Sequence, residues 1–228
     1  MQEITPVPMA TAGRSCYDAD KKTEGSTAMV LSDKRILEEL EKGNIVIEPF
    51  DRRQLGTNSY DVRLGEWYYE PNRNLMVVDF FDEESVRAFW GEPKRAKDGI
   101  ITIRAGDTIL AHTQEVVGAR NGFTTSMRCR SSIGRSALSV CKCAGLGDVG
   151  YIARWTMEIT NHSQSNIRLP VGARIAQIMF YEVGPTLTEY RGKYGQSEWT
   201  PEEMLPRLYR DWDVELFHPA FSMNGARS

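Results

Sequence analysis

Short runs of alternating apolar and polar residues, each closed by Gly, Asn, Asp or Pro, fill most of this chain and constrain its fold more than any other feature. Residues 45–47, 59–64, 67–69, 100–103 and 108–112 read as strands, as do 124–127, 155–160, 167–169 and 175–180. Gly106-Asp107 and Val171-Gly172-Ala173 supply turns between them. Many short strands at close spacing predict a mainly β sandwich or barrel. The lack of strand–helix alternation argues against a Rossmann arrangement, and no repeat of solenoid length is present. One main domain is expected for 228 residues of this kind, of which 41% are hydrophobic, enough for a sizeable core.

Helical signals are few. Ser32 is placed to cap a short amphipathic helix whose Ile36, Leu37 and Leu40 share a face, with Gly43 at its stop. Residues 79–97 set Glu83, Glu84 and Arg87 beside Val86, Phe89 and Trp90, the pattern of a short helix or an insertion. Thr200-Pro201-Glu202-Glu203 has capping-box spacing, and Pro206 cuts that helix short. The expected organisation is a mobile extension over 1–29, a β domain over 30–200 and a C-terminal tail over 201–228.

A net charge of −3 gives no general attraction to nucleic acid or to an anionic membrane, so any phosphate site must be local. No apolar stretch suits a signal peptide or a membrane span, and cysteines 16, 129, 141 and 143 form no framework; the expected location is a reducing cytoplasm. Cys141-Lys142-Cys143 lacks the second ligand pair that structural zinc requires. Period 2 instead predicts two thiols on one face of a buried strand.

One stretch concentrates polar chemistry. Arg130 and Arg135 offer forked donors, Ser131 and Ser132 offer hydroxyls, and Gly134 permits close approach, a set able to hold a polyphosphate. Taken alone it reads equally well as a capped surface helix with two solvated arginines. Asp148, among Gly145, Gly147 and Gly150, has a carboxylate free to accept from a sugar hydroxyl, and Tyr151 could pack on the ring; alone, this is an ordinary turn. Glu158 shares a strand face with Thr156 and Thr160, opposite Trp155, Met157 and Ile159. Glutamate is depleted in strands, which makes Glu158 a candidate general base.

Over residues 30–197 these segments resemble the dCTP deaminase branch of the trimeric dUTPase-like family. The likeness rests on Leu31-Ser32-Asp33-Lys34, Ile47-Glu48-Pro49-Phe50, the run 58–65 around Asp61-Val62-Arg63-Leu64, and Arg130-Ser131-Ser132-x-Gly134-Arg135. It continues through Thr156-Met157-Glu158, Gly172-x-x-Ile175-x-Gln177 and Tyr190-x-Gly192-Lys193-Tyr194-Gly195-Gln196. The resemblance implies a dUTPase-like β-barrel or jelly-roll homotrimer with sites at subunit interfaces, each holding dCTP with Mg²⁺ on its phosphates. Arg130, Ser131, Ser132 and Arg135 would bind the triphosphate or position the attacking water. Asp148 would accept the 3′-hydroxyl, Tyr151 would pack on the deoxyribose, and Thr156 and Met157 would border the base. Tyr190, Lys193 and Gln196 would close over the nucleotide from a mobile tail.

Zinc deaminases carry H-x-E and P-C-x-x-C segments, and neither occurs here, so a zinc-free route through Glu158 is expected. The implied activity is hydrolysis of dCTP to dUTP and ammonia, feeding dUMP and dTTP synthesis. Some relatives continue to dUMP and pyrophosphate with the same residues, which is the second reading. A third, from another class, is a non-catalytic nucleotide-binding trimer. It is motivated by Cys141-Lys142-Cys143-Ala144, where the family often has His-x-Thr-Ala.

Overall fold

The structure, a computed structural model, describes residues 29–195 and 198–210. The expected extension up to residue 28, Gln196 and the end beyond residue 210 lie outside the described residues. In chain order the first strands are β1 (Met29–Val30), β2 (Ile45–Glu48), β3 (Tyr60–Tyr69), β4 (Lys94–Arg95), β5 (Ile100–Ile103) and β6 (Thr108–Ala119). They are followed by β7 (Phe123–Cys129), β8 (Leu138–Ser139), β9 (Leu146–Gly147), β10 (Ile152–Asn161), β11 (Ile167–Pro170) and β12 (Arg174–Glu182). Among the described residues three α-helices interrupt them, α1 (Asp33–Glu41), α2 (Glu83–Trp90) and α3 (Ser131–Arg135), besides short 3-10 turns.

Ten strands form one sheet in the order β8-β10-β6-β3-β12-β7-β9, with β1 on β12, β2 on β6 and β4 on β3. β5 and β11 make a separate pair. The sheet turns at β3: Tyr60 to Arg63 pair with β12, whereas Leu64, Tyr68 and Tyr69 pair with β6, with a register shift between. The curled sheet encloses a core that includes Tyr60, Val62, Leu64, Ile109, Met157, Ile159, Ile178 and Phe180. This is the mainly β architecture that the strand spacing predicts, of the jelly-roll type that the resemblance implies. No helix among the described residues is long and apolar enough to cross a membrane.

Several local expectations are corrected. Residues 59–64 and 67–69, read as two strands, belong to the single strand β3, which starts at Tyr60 and runs through both. Gly65 does not break it; it lets the strand pass the His112 ring, since a Cβ there would lie 2.1 Å from His112 Cε1. Residues 141–143 are not a strand: Cys141 and Lys142 adopt positive φ (63° and 38°), and the turn buries Cys141 while exposing Cys143. Met29, expected in the extension, is already paired in β1. Pro201–Met204 is a single 3-10 turn without a side-chain cap, because the residue before Pro206, Leu205, is held extended (φ −72°, ψ 140°). The helix from Ser32 forms as expected, with Ser32 Oγ accepting from the Arg35 N–H at 3.4 Å and Gly43 at φ +73° after its end.

Two buried polar groups were not singled out from the sequence. Glu115, 0% exposed on β6, accepts from Arg63 Nε (2.6 Å), the Arg63 backbone N–H (2.9 Å) and Gln54 Nε2 (3.0 Å). His112 accepts from the Trp67 N–H at Nε2 (3.2 Å), and its Nδ1 meets the Thr113 carbonyl at 2.8 Å, so Nδ1 carries the proton of a neutral ring. Trp199 packs on that ring at 4.3 Å between centroids.

Burial pushes the His112 pKa down from 6.5 to about 4. Between those values the unfolded chain holds a proton that the fold rejects, so stability rises with pH across the window and is lost as pH falls from 6.5 toward about 4. The melting temperature of His112→Asn is therefore expected to fall less steeply than that of the parent over this range. Parallel curves would contradict the buried neutral ring.

A second apolar cluster lies beside the main core. Tyr69, Val86, Trp90, Leu110, Met204 and Leu205 are buried together, with Phe89, Trp199 and Tyr209 packed against them. It brings α2 and residues 199–209 onto β3 and β6, which forms one wall of the site described next.

Candidate active site

The alternation along β10 sorts its side chains as period 2 requires. Ala153, Trp155, Met157, Ile159 and Asn161 are buried, while Thr156, Glu158 and Thr160 stand on the other face. Glu158 Oε2 is nevertheless enclosed and has no hydrogen-bond partner among the described residues. Burial pushes the Glu158 carboxyl above its ordinary range, with its own backbone N–H and Lys142 pulling the other way. A partly desolvated carboxylate with an unengaged oxygen is a competent proton acceptor.

Glycines let the preceding loop approach this face. A Cβ at Gly145 would lie 2.4 Å from the Met127 carbonyl oxygen, and one at Gly147 would lie 2.4 Å from the Trp155 ring. Neither position accepts a side chain without displacing β7 or β10. Asp148 follows, exposed, with its carbonyl accepting from the Tyr151 N–H at 2.9 Å across a turn in which Gly150 has φ +94°. The Tyr151 ring then stands edge-on to both Trp155 and Tyr190, 5.2 Å from each.

A cavity of about 480 Å³ opens here, within the range of small-molecule sites. Asp148, Tyr151, Thr156, Glu158 and Tyr190 line it together, so these five sequence-predicted residues converge on one space. Trp90, Leu110, Ala144, Tyr194, Met204 and Pro206 complete much of the wall and were missed. The Trp90 indole N–H, buried as well, also lacks a partner among the described residues. Val86, Phe89 and Trp90 on one short helix were the available signal, but nothing local tells where such a helix packs.

The other predicted residues stand elsewhere. Ser131, Ser132 and Arg135 are exposed on α3 and do not line the cavity. Arg130, which precedes α3, bonds Asp61 through Nε (3.1 Å) and the Arg174 carbonyl through Nη1 (3.1 Å). Arg174 also meets Asp61, at 3.3 Å, which explains what the Asp61-containing motif does: its carboxylate fixes the direction of Arg130. Met157, expected beside the base, has its side chain fully buried in the core, on the opposite face of β10 from Glu158. Lys193 is half-buried over the Tyr194 ring, 5.6 Å from its centroid, and does not line the cavity.

Cys141 is turned inward against Met127, Sγ to Sδ 3.3 Å, and burial pushes its thiol far up. Among the described residues no group of three or more His, Cys, Asp or Glu could hold a metal ion.

Residues 30–183 match the family model described as dCTP deaminase-like. A "dCTP deaminase, dUMP-forming" of Methanosphaerula palustris is 32% identical over 156 residues, 67% of this chain and 81% of that protein. A "dCTP deaminase" of Haloarcula marismortui is 34% identical over 158 residues, 68% and 81% of the two chains. A "dCTP deaminase, dUMP-forming" of Leptospira biflexa is 31% identical over 187 residues, 81% of this chain and 99% of its own. The crystal structure of 2′-deoxycytidine 5′-triphosphate deaminase from Agrobacterium tumefaciens aligns with a TM-score of 0.53 at 20% identity. That alignment covers 68% of this chain and 49% of the other, a likeness of fold.

Proposed function

The chain belongs to the dCTP deaminase-like family, and from that premise we propose that it hydrolyses dCTP to dUTP and ammonia. The observation that carries the reading is the enclosed, unpartnered carboxylate oxygen of Glu158 in one cavity with Asp148 and Tyr151. Asp148 accepts the sugar 3′-hydroxyl, Tyr151 packs on the deoxyribose, and Thr156 stands at the base. Glu158 takes one proton from water as the water oxygen bonds to C4 of cytosine, the C4=N3 electron pair moves to N3, and Glu158 passes that proton to N3. Glu158 then carries the remaining proton from the C4 hydroxyl to the amino nitrogen as the C4–N bond breaks, which releases ammonia, leaves the C4 carbonyl and returns Glu158 to its carboxylate form. Mg²⁺ enters with the triphosphate and neutralises its charge. The protein part of the step is zinc-free.

Arg130, Ser131, Ser132 and Arg135 bind phosphate in a cavity of a neighbouring copy within a homotrimer. This reading is supported by their position outside the cavity of their own chain. Tyr190, Lys193 and Gln196 cover the nucleotide. The names "dCTP deaminase, dUMP-forming" carried by relatives from Methanosphaerula and Leptospira favour a second reading, in which the product continues to dUMP and pyrophosphate.

The test is an incubation of dCTP, CTP, dCMP and dUTP with the protein, with and without chelator, followed by chromatography. Consumption of dCTP with accumulating dUTP is the expected result, and dUMP without dUTP selects the second reading. Unchanged dCTP in the presence of Mg²⁺ would sink both.

A further inference from the structure

Residues 198–210 lie beyond the family match, which ends at residue 183, yet they are tied to the residues that roof the cavity. Arg207 makes the tie. It is only 7% exposed, and its Nη1 donates to the Lys193 carbonyl at 2.7 Å. Its Nη2 donates to Glu203 Oε1 at 2.7 Å, and Nη1 reaches Oε2 of the same carboxylate at 3.4 Å. The guanidinium also stands 5.6 Å over the Tyr194 ring, and the Arg207 backbone N–H donates to the Tyr194 hydroxyl at 3.1 Å.

The tail is fixed from the opposite side as well. The Tyr194 N–H donates to the Tyr190 hydroxyl at 3.3 Å, and the Tyr190 N–H donates to the Val149 carbonyl at 2.7 Å. Gly192 permits this fold-back, since a Cβ there would lie 2.2 Å from the Tyr190 hydroxyl. Tyr190 and Tyr194, both lining the cavity, are thus clasped between Val149 on the body and Arg207 on the terminal segment.

We propose that Arg207 is a positioning residue that holds residues 190–195 over the cavity before any nucleotide arrives. The proposal rests on the reading of that cavity as the nucleotide site. A planar fork reaches a carbonyl and a carboxylate at once, which a lysine ammonium does with less geometric definition. The Arg207–Glu203 pair is largely desolvated, with side chains 9% and 13% exposed, so losing one partner leaves the other charge poorly solvated. A tail ordered in advance spares the ligand the conformational entropy of ordering it. That saving applies equally to bound substrate and transition state, so it appears in KM rather than in kcat.

The decisive measurement is hydrogen exchange of the nucleotide-free protein, read over residues 190–195. In Arg207→Ala these amides are expected to exchange about tenfold faster or more, the scale of one lost charge-assisted hydrogen bond, while β6 and β10 stay protected as in the parent. The KM for dCTP is expected to rise about tenfold with kcat within about twofold, and Arg207→Lys to recover part of the loss. Unchanged exchange over 190–195 in a folded Arg207→Ala would overturn the proposal.

If that variant does not fold, Arg207→Met keeps the apolar stem and removes only the guanidinium that donates to Lys193 and Glu203, and unchanged exchange over 190–195 there overturns the proposal equally. Exchange needs no substrate. A parent protein inert toward dCTP would therefore remove the functional reading and leave the clasp to stand or fall on its own.

Discussion

A Glu158→Gln variant is expected to bind dCTP about as well as the parent and to deaminate it roughly 10²- to 10⁴-fold more slowly, the range that a positioned proton acceptor contributes. Glutamine keeps the shape of the side chain and its place beside Thr156, so the cavity is preserved and only the proton acceptor is lost. Both kcat and kcat/KM should fall by the same factor, the mark of an interaction made in the transition state alone. For the parent, the rate should decline with falling pH as Glu158 protonates, at a pH above its unperturbed pKa of 4.5 because burial raises it.

The same shift fixes the sign of a stability effect. The folded chain binds the Glu158 proton more tightly than the unfolded chain does, so stability falls as pH rises from 4.5 through the raised value, and above that value the ionised carboxylate is a burden on the fold. Glu158→Gln should therefore melt no lower than the parent, and somewhat higher, while being inactive. Near-normal turnover in this variant would exclude Glu158 as the base. A marked loss of melting temperature would instead make inactivity a matter of folding.

Glu158 was legible in the sequence because strand alternation is a local rule: once Trp155, Met157 and Ile159 are assigned to the core, Glu158 must face away. The same rule placed Met157 in the core, and the structure keeps it there; only the resemblance put it beside the base. Residues 141–143 went the other way, since two non-glycine residues at positive φ carry no local signature and look like a strand. Gly65 resembled a break because its reason for being glycine, the ring of His112, is 47 positions away in the chain. The wall formed by Trp90, Met204 and Pro206 depends on α2 meeting the C-terminal segment, a pairing that periodicity does not encode. What pattern reading recovers here is which way a residue points. What it misses is which distant residue it meets.

Glu115→Ala is expected to destabilise the fold by about 3–5 kcal/mol, the cost of breaking a buried ion pair from one side. Glu115 is fully buried, and its two oxygens accept from the Arg63 side chain, the Arg63 backbone N–H and Gln54. Alanine would leave a guanidinium that is 27% exposed without its carboxylate, and a backbone donor of β3 without an acceptor. The loss falls where β3 turns from β12 to β6, so the two halves of the sheet would come apart at the strand they share. For a domain whose whole stability is on the order of 5–15 kcal/mol, that is enough to unfold a large fraction of molecules under mild denaturant. Glu115→Gln retains the shape and one acceptor oxygen but gives up the charge and turns an NH2 toward a donor, so its midpoint should lie between parent and alanine variant. Urea melts of the three proteins check the order through their midpoints at constant slope. Equal midpoints for parent and Glu115→Ala would show that the pair contributes nothing and that apolar packing alone holds β3 in place.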